Sequence, residues 1–536
     1  MTNHQYDYVV IGSGFGGSVS ALRLSEKGYR VLVVEKGGRK SPDDFPRTNW
    51  DVRRWMWMPE VGARGIFRMT FLPHVTAVSG VGVGGGSLVY ANTLPMPTRG
   101  FYEAPIWSGL AHWAEELAPH YATAKRMLGA TENKIMTHTD EVTRQVGRDL
   151  GFHDFRPSTV AVYFGEAGRT VPDPYFGGEG PDRTGCIGCG ACMIGCRHGA
   201  KNTLDKNYLY LAERRGARVE ADTEVTWVRP LGGGGYVVEA RTGTSTLAFR
   251  NEARSFTTRG VIFAGGVLGT VQLMLRLKQS PDGLPMLSDH LGDTVRTNSE
   301  VLMGIVSRRS DRDLSKGIAI GSILHTGDDS HVEPVRYPAG SGFFRMLTIP
   351  HVVGSSMPER LASSVTTFFR NPLGFLRAAT VPDWAKQTMI LLYMKAADGQ
   401  LRLKLGRGLR RGGPLFAGLT SELSEGEAPK AFLPEADELA ERYAEHLDAV
   451  PQSMFTETLM GTPTTAHILG GARMGEGRAQ GVIDHKHGVF GYDDMYVIDG
   501  AAVSANPGVN PSLTICALAE RAMSFIPQRG HSTPSK

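Results

Sequence analysis

The chain has 536 residues, of which 41% are hydrophobic and 21% charged, with a net charge of +4. That length suits two or three domains or one large composite one, and the balance is that of a globular protein rather than a disordered or fibrous chain. Both signs of charge are interspersed and no basic run resembles a nucleic-acid arm, so no nucleic-acid partner is expected; no apolar run approaches the ~18 residues that span a bilayer.

Residues 7–11 (Asp-Tyr-Val-Val-Ile) read as a buried strand. Its early start leaves no room for a secretory leader, which points to a cytoplasmic protein, with peripheral contact to a membrane left open. Gly12-Ser-Gly-Phe-Gly-Gly17 follows and matches G-x-G-x-x-G at Gly12, Gly14 and Gly17. An amphipathic helix (residues 18–27) and a second strand (residues 30–34) come next, and that strand ends in Glu35. This is the full βαβ context of a dinucleotide site. Gly12 permits the tight turn, Gly14 admits the pyrophosphate and Gly17 lets helix and strand pack. The helix N-terminus favours the anion, and Glu35 stands where the ribose-binding acid belongs. These residues alone fit NAD or FAD.

A glycine loop, Gly80-Val-Gly-Val-Gly-Gly-Gly86, leads into Ser87. The 67 glycines sit in such short loops, which indicates tight turns and close approach of backbone to a ligand. Four of the five cysteines then fall within eleven residues as Cys186-x2-Cys189-x2-Cys192-x3-Cys196. That is the thiolate run of bacterial iron–sulfur ferredoxins, so a 4Fe–4S or 3Fe–4S cluster is the leading reading. A zinc site, disulfides and a reduced unliganded loop stand as alternatives, and Arg197 replaces the proline that usually follows the fourth cysteine.

Residues 260–270 form a second strand-to-helix glycine turn, which would reach the same dinucleotide from another side. Residues 344–398 and their flank are rich in aromatic and aliphatic groups: Phe343, Phe344, Phe368, Phe369, Phe375, Leu376, Trp384 and Met389–Met394. They read either as a large apolar pocket for a sterol or other lipid alcohol, or as plain core. Arg360, Arg370 and Arg377, set among apolar residues, would let 358–377 lie on a lipid surface. Arg407–Arg411 reads as a solvated turn. Residues 495–500 read as a strand ending in Asp499, and a helix over 511–524 follows the loop Asn506-Pro-Gly-Val-Asn510. Cys516 reads as a small buried side chain. A dinucleotide site built from both ends of the chain is unlike a compact NAD module and favours FAD.

Taken together, these segments resemble the glucose–methanol–choline (GMC) flavoprotein oxidoreductases, from residue 6 to about 528. The resemblance is strongest over 7–37, 80–94, 260–275 and 466–521. Gly-Val-Gly-Gly-Gly-Ser87, His467-Ile-Leu-Gly-Gly471 and Gly508-Val-Asn510-Pro are most similar to the bacterial cholesterol-oxidase-like branch. The resemblance implies an α/β (α+β overall) fold. A Rossmann-like FAD-binding domain would be built from discontinuous segments, 1–97, 197–297 and 462–528, and a substrate domain on a mostly antiparallel sheet would occupy 298–461. An insertion with the cysteine loop would fill 98–196, and 529–536 would be a mobile tail. The resemblance implies that His467 and Asn510 face the flavin and bind the substrate hydroxyl. It also places Gly84, Gly85, Gly86 and Ser87 against the flavin and pyrophosphate, and Asp499 near the ribityl chain. Gln387 stands where relatives that isomerise their steroid product carry a glutamate, and a neutral amide cannot act as that base. Tyr90 stands where related oxidases have an asparagine, with Asn92 two residues later.

The chemistry agrees. An imidazole, with an ordinary pKa near ~6.5, suits removal of a hydroxyl proton at neutral pH, and an amide can hold the same oxygen. The expected function is FAD-dependent oxidation of a secondary alcohol on a bulky apolar substrate such as a 3β-hydroxysteroid. Electrons would pass through the cluster to an acceptor protein or quinone, or directly to oxygen. An enone reductase running the electrons in reverse and a non-catalytic electron-transfer flavoprotein are the competing readings. The His467 and Asn510 pair argues against the last.

Overall fold

The computed structural model describes residues 4–243, 251–354, 356–370, 372, 380–397, 399–408, 413–424 and 427–530. Phe375, Leu376, Arg377, Arg410, Arg411 and residues 531–536 lie outside the described residues, as do the side chains of Phe368 and Arg370.

Two seven-stranded sheets organise the molecule. In the first, the strands run in the order Arg218–Glu220, Val31–Val34, Tyr6–Ile11, Ala253–Phe263, Tyr236–Thr242, Thr223–Pro230. Ala253–Phe263 is shared. Its first half pairs antiparallel with Tyr236–Thr242, and its second half pairs parallel with Tyr6–Ile11 and with Met495–Val497. The parallel centre is buried on both faces. The run Tyr8-Val-Val-Ile11 is accordingly apolar throughout instead of alternating. The helix Phe15–Glu26 covers one face and packs against Ser512–Ser524 and Tyr208–Arg214.

The second sheet is antiparallel throughout, in the order Thr348–Pro350, Ala449–Met454, Glu300–Ser307, Thr388–Lys395, Ser330–Val335, Ser322–His325, Phe155–Pro157. One face packs on the helices Pro434–Leu447 and His138–Asp149, with Met303, Ile305, Met389, Leu391 and Tyr393 in that core. The opposite face carries Leu302, Gly304, Val335, Ile390 and Leu392 towards a large cavity. Strand alternation therefore divides Met389–Met394: residues 390 and 392 face the cavity, and 389, 391 and 393 do not. The aromatic stretch is pocket wall and core by turns. Trp384 and Phe344 line the cavity, Phe343 packs in an aromatic cluster with Trp55, and Phe369 is 73% exposed.

The helix Met357–Arg370 exposes Met357, Leu361, Val365 and Phe369, each one turn from the last. Arg360 points the other way and is buried, donating to the carbonyls of Gly354 (2.9 Å) and Leu459 (3.2 Å). No helix among the described residues is long and apolar enough to cross a membrane.

A buried ion pair ties the helix His138–Asp149 to the second sheet. Arg336 Nη2 donates to Asp140 Oδ1 at 3.1 Å, and both side chains are fully buried. Arg336 Nη1 also donates to Thr137 Oγ1 and to the Lys316 carbonyl, and Ser322 Oγ donates to Asp140. Removing one partner strands the other charge, so Asp140→Ala should cost about 3–5 kcal/mol. Chemical denaturation checks this, with Asp140→Asn expected to lose less because it keeps an acceptor.

Candidate active site

A cavity of about 660 Å³ runs from the first glycine turn to the apolar face of the second sheet. Gly12, Gly14, Phe15 and Gly16 line one end, with Glu35 beside them. Gly12 has φ +105°, and a Cβ there would lie 2.4 Å from the Ala264 carbonyl oxygen. A Cβ on Gly17 would lie 2.1 Å from the Gly12 oxygen, so only glycine lets the helix sit on the turn. A Cβ on Gly14 meets nothing, which marks the open cradle in front of the helix N-terminus.

Glu35 is held by its own turn. Its Oε2 accepts from Ser13 N–H (3.0 Å) and Ser13 Oγ–H (2.8 Å), and its Oε1 accepts from Gly37 N–H (2.9 Å). Of Gly84–Ser87, Gly85 and Gly86 line the cavity. Ser87 does not. Its hydroxyl donates to the Gly84 carbonyl (2.6 Å) and accepts from Leu204 N–H (3.0 Å), which fixes the loop instead of facing a ligand. Asp499 lines the cavity and bolts two turns together. Its Oδ2 accepts from Gly266 N–H (2.8 Å) and Thr270 Oγ1 (2.5 Å), and its Oδ1 accepts from Ala501 N–H (2.8 Å). Burial pushes this carboxyl up to about 6 despite those bonds.

His467 and Asn510 meet at the inner end, with Asn510 Nδ2 3.5 Å from His467 Nε2. Two glutamates absent from the sequence reading complete the group. Glu300 Oε1 accepts the backbone N–H groups of Ala466 and His467, and Glu300 Oε2 lies 2.8 Å from His467 Nδ1. With both backbone donors on Oε1, Oε2 is left to accept the Nδ1 proton, which leaves Nε2 as a free base facing the cavity. Burial works against charge on His467, but the Glu300 carboxylate outweighs it and raises the imidazole pKa above its ordinary 6.5. Glu333 Oε2 accepts from Asn510 Nδ2 at 3.2 Å. The strand alternation that puts 302 and 304 on the cavity face puts 300 there too, and the same holds for 333 and 335. That periodicity is the one sequence signal that would have found them.

Asn92 lines the cavity at φ 61°, and neither amide atom has a hydrogen-bond partner among the described residues. An orphaned, strained amide on a cavity wall is the mark of a ligand contact. Gln387 is elsewhere: its amide donates to the carbonyls of Ser307 (3.3 Å) and Arg309 (3.1 Å). His487 is a buried loop residue bonded to the Val497 carbonyl, and Cys516 is buried core.

The structure lends the cluster expectation no support. Among the described residues no group of three or more His, Cys, Asp or Glu side chains is arranged to hold a metal ion. Cys186, Cys192 and Cys196 pack against Val160, Val162, Ala200 and Ile318, whereas Cys189 turns towards the aromatic core around Trp55. Burial pushes the Cys186 thiol up to about 12 and Cys192 to about 11. Lys201 accounts for the loop's place in the fold. Its buried ammonium donates to the carbonyls of Leu88 (3.0 Å) and Cys192 (2.7 Å) and lies over the Tyr90 ring.

A dinucleotide cradle open to an apolar cavity, with an imidazole and an amide at its inner end, agrees with the class that the comparisons give, a flavin-dependent oxidoreductase acting on CH–OH groups. Residues 180–279 and 416–519 each match the GMC oxidoreductase family, and 10–76 match an NAD(P)-binding Rossmann-like domain. The chain is 44% identical over 537 residues to a cholesterol oxidase of Acinetobacter baumannii, covering 99% of this chain and 96% of that protein. It is 43% identical over 540 residues to a cholesterol oxidase of Mycobacterium tuberculosis (strain ATCC 25618 / H37Rv), covering 98% and 92%. The chain belongs to the GMC oxidoreductase family, in its cholesterol-oxidase-like branch. The crystal structure of pyridoxine 4-oxidase from Mesorbium loti shares the fold, with a TM-score of 0.63 at 14% identity, covering 97% of this chain and 99% of that one. The residues present fit FAD. The open cradle at Gly14, the helix N-terminus behind it and the orphaned Asn92 amide all face one cavity.

Iron and acid-labile sulfide on anaerobically purified protein should fall well below one atom per flavin. Three or four irons per flavin would restore the cluster reading.

Proposed function

We propose that this enzyme oxidises a secondary alcohol on a bulky apolar substrate, of the 3β-hydroxysteroid kind, to the ketone. The observation that carries the reading is His467 Nε2 and the Asn510 amide side by side at the inner end of an apolar cavity. The names of the two cholesterol oxidases quoted above support the substrate class.

FAD bound in the cradle supplies the hydride acceptor. The chain's residues do the rest. Glycines 12, 14 and 16, with the helix N-terminus behind them, would hold the pyrophosphate. Leu302, Val335, Ile390, Leu392, Phe344 and Trp384 surround the apolar body of the substrate and exclude water. The reacting oxygen would sit in front of both His467 Nε2 and Asn510 Nδ2. It gives its proton to the first and accepts an N–H from the second, which fixes the carbinol C–H in one direction. Glu300 stabilises the imidazolium that forms. No step runs through the cysteine loop.

Glu300→Gln should be more damaging than its shape suggests. The two backbone N–H groups would claim the amide oxygen and turn its NH2 towards Nδ1. That forces the imidazole proton onto Nε2, where the base is needed. The rate of substrate-driven flavin bleaching should fall at least ~100-fold, the scale of a lost general base. A variant at wild-type rate would remove the imidazole from the mechanism.

The pH dependence has a definite sign. The base works when Nε2 is unprotonated, and the folded imidazole pKa is raised. Activity should therefore climb with pH through an apparent pKa above 6.5, the ordinary value given for this group. A kcat/KM profile measured with a 3β-hydroxysteroid checks this, and a profile already flat below that value would contradict it.

A further inference from the structure

Along the cavity face of the second sheet, side chains fall in rows set by the register. Glu300 pairs with Met394, Leu302 with Leu392, and Gly304 with both Ile390 and Gln452. The first row meets His467 through Glu300. A rise of about 3.4 Å per residue puts the Gly304 row roughly 13 Å further along the wall. Gly304, Ile390 and Gln452 all line the cavity there.

Gly304 is the one glycine in the seven strands of that sheet. Its backbone does not require one, because its φ is not positive. Crowding does not require one either, since a Cβ there would meet nothing closer than 3.8 Å. Glycine weakens a strand interior, and it persists where a ligand comes close to the backbone. The space that a side chain would fill belongs to the cavity.

Two polar side chains at this end lack partners. Gln452 is buried, and Thr348 Oγ1 donates to its Oε1 at 3.1 Å. Its Nε2 has no hydrogen-bond partner among the described residues. Tyr337, two residues beyond the cavity residue Val335, is buried against Phe344 and Trp55. Its hydroxyl has no partner among the described residues either. Both side chains line the cavity. A buried polar group without a hydrogen bond is costly, so whatever fills this end is expected to supply one. An amide NH2 only donates and a phenol can donate, so the matching group is an acceptor.

We propose that Gly304, Gln452 and Tyr337 form a subsite for the remote end of the substrate, and that this end carries a carbonyl oxygen. The proposal rests on the reading of the substrate as a 3β-hydroxysteroid oxidised at His467 and Asn510. Gly304 lets the far rings lie against the sheet. Gln452 and Tyr337 present N–H and O–H groups to the oxygen. In a steroid, a ketone at position 17 stands at the opposite end of the ring system from the 3-hydroxyl. A hydrocarbon tail in its place would leave both donors unpaired in an apolar surround.

The test uses androst-5-en-3β-ol and its 17-ketone, which differ only at the remote end. Wild-type holoenzyme should oxidise the ketone with a kcat/KM about tenfold higher, the scale of one net hydrogen bond. The gain should sit in KM, because a group far from the reacting bond is bound alike in ground and transition states. Gln452→Leu should bring the ratio of the two steroids close to one, and Tyr337→Phe, which removes only a hydroxyl, should lower it. Gly304→Val should weaken binding of both steroids about tenfold or more, as excess bulk does in an apolar pocket, without lowering the thermal midpoint. Equilibrium dialysis of the same two steroids reads the preference without turnover. Equal affinity in wild type, or a ratio that Gln452→Leu leaves unmoved, would overturn the subsite. Gly304→Val binding like wild type would overturn the close approach at the glycine. A ketone preferred in binding through Gln452, with no flavin bleaching by either steroid, would discard the oxidation reading alone. A holoenzyme that binds neither steroid would overturn both.

Discussion

The strand Ala253–Phe263 is the joint on which the molecule depends. It pairs in parallel with Tyr6–Ile11 near the start of the chain and with Met495–Val497 near its end. Parallel neighbours need long crossovers, and the chain uses those crossovers to carry the second sheet. The pairing brings three turns together: Gly12–Gly16 after the first strand, Gly265–Gly266 after the shared one, and Asp499–Ala501 after the last. Asp499 locks the second and third with three hydrogen bonds. The loop that leaves this lock runs directly to Asn510 and the helix Ser512–Ser524. The geometry of the cradle and the position of a reactive amide are thus set by the same backbone pairing.

The second sheet contributes a wall with two characters. Along the cavity face, Leu302, Gly304, Val335, Ile390 and Leu392 are apolar, and at one end the same rows change to Glu300, Glu333 and His331. An apolar surround strengthens every interaction made inside it and penalises any group left without a partner. That is why Glu300 has donors on both oxygens, and why the unpartnered atoms of Glu333, His331 and Asn92 are costly there. The cysteine loop packs behind this region, anchored by Lys201 under Tyr90, and stiffens the wall without supplying ligands to the cavity.

Motifs with local causes were legible in the sequence alone. The βαβ turn at Gly12–Gly17, the strands and helix around it, the glycine turn at 260–270 and the C-terminal helix all arise from contacts within a few residues, so pattern and spacing reveal them. His467 and Asn510 were legible through resemblance, because each lies in a distinctive short motif. The tertiary structure alone decided what depends on pairing between distant segments. It chose which of Met389–Met394 face the cavity, because that follows from sheet register and not from hydrophobicity. It turned Ser87 and Gln387 into structural residues by supplying backbone partners from elsewhere. It set Cys186, Cys192 and Cys196 against Val160, Val162, Ala200 and Ile318 and Cys189 beside the core around Trp55, which spacing alone does not tell. It brought Glu300 and Glu333, ordinary charged residues in sequence, to a half-buried imidazole and a buried amide 167 and 177 positions away. Strand alternation marks the face they occupy, but which partner each meets there is a property of the assembled fold.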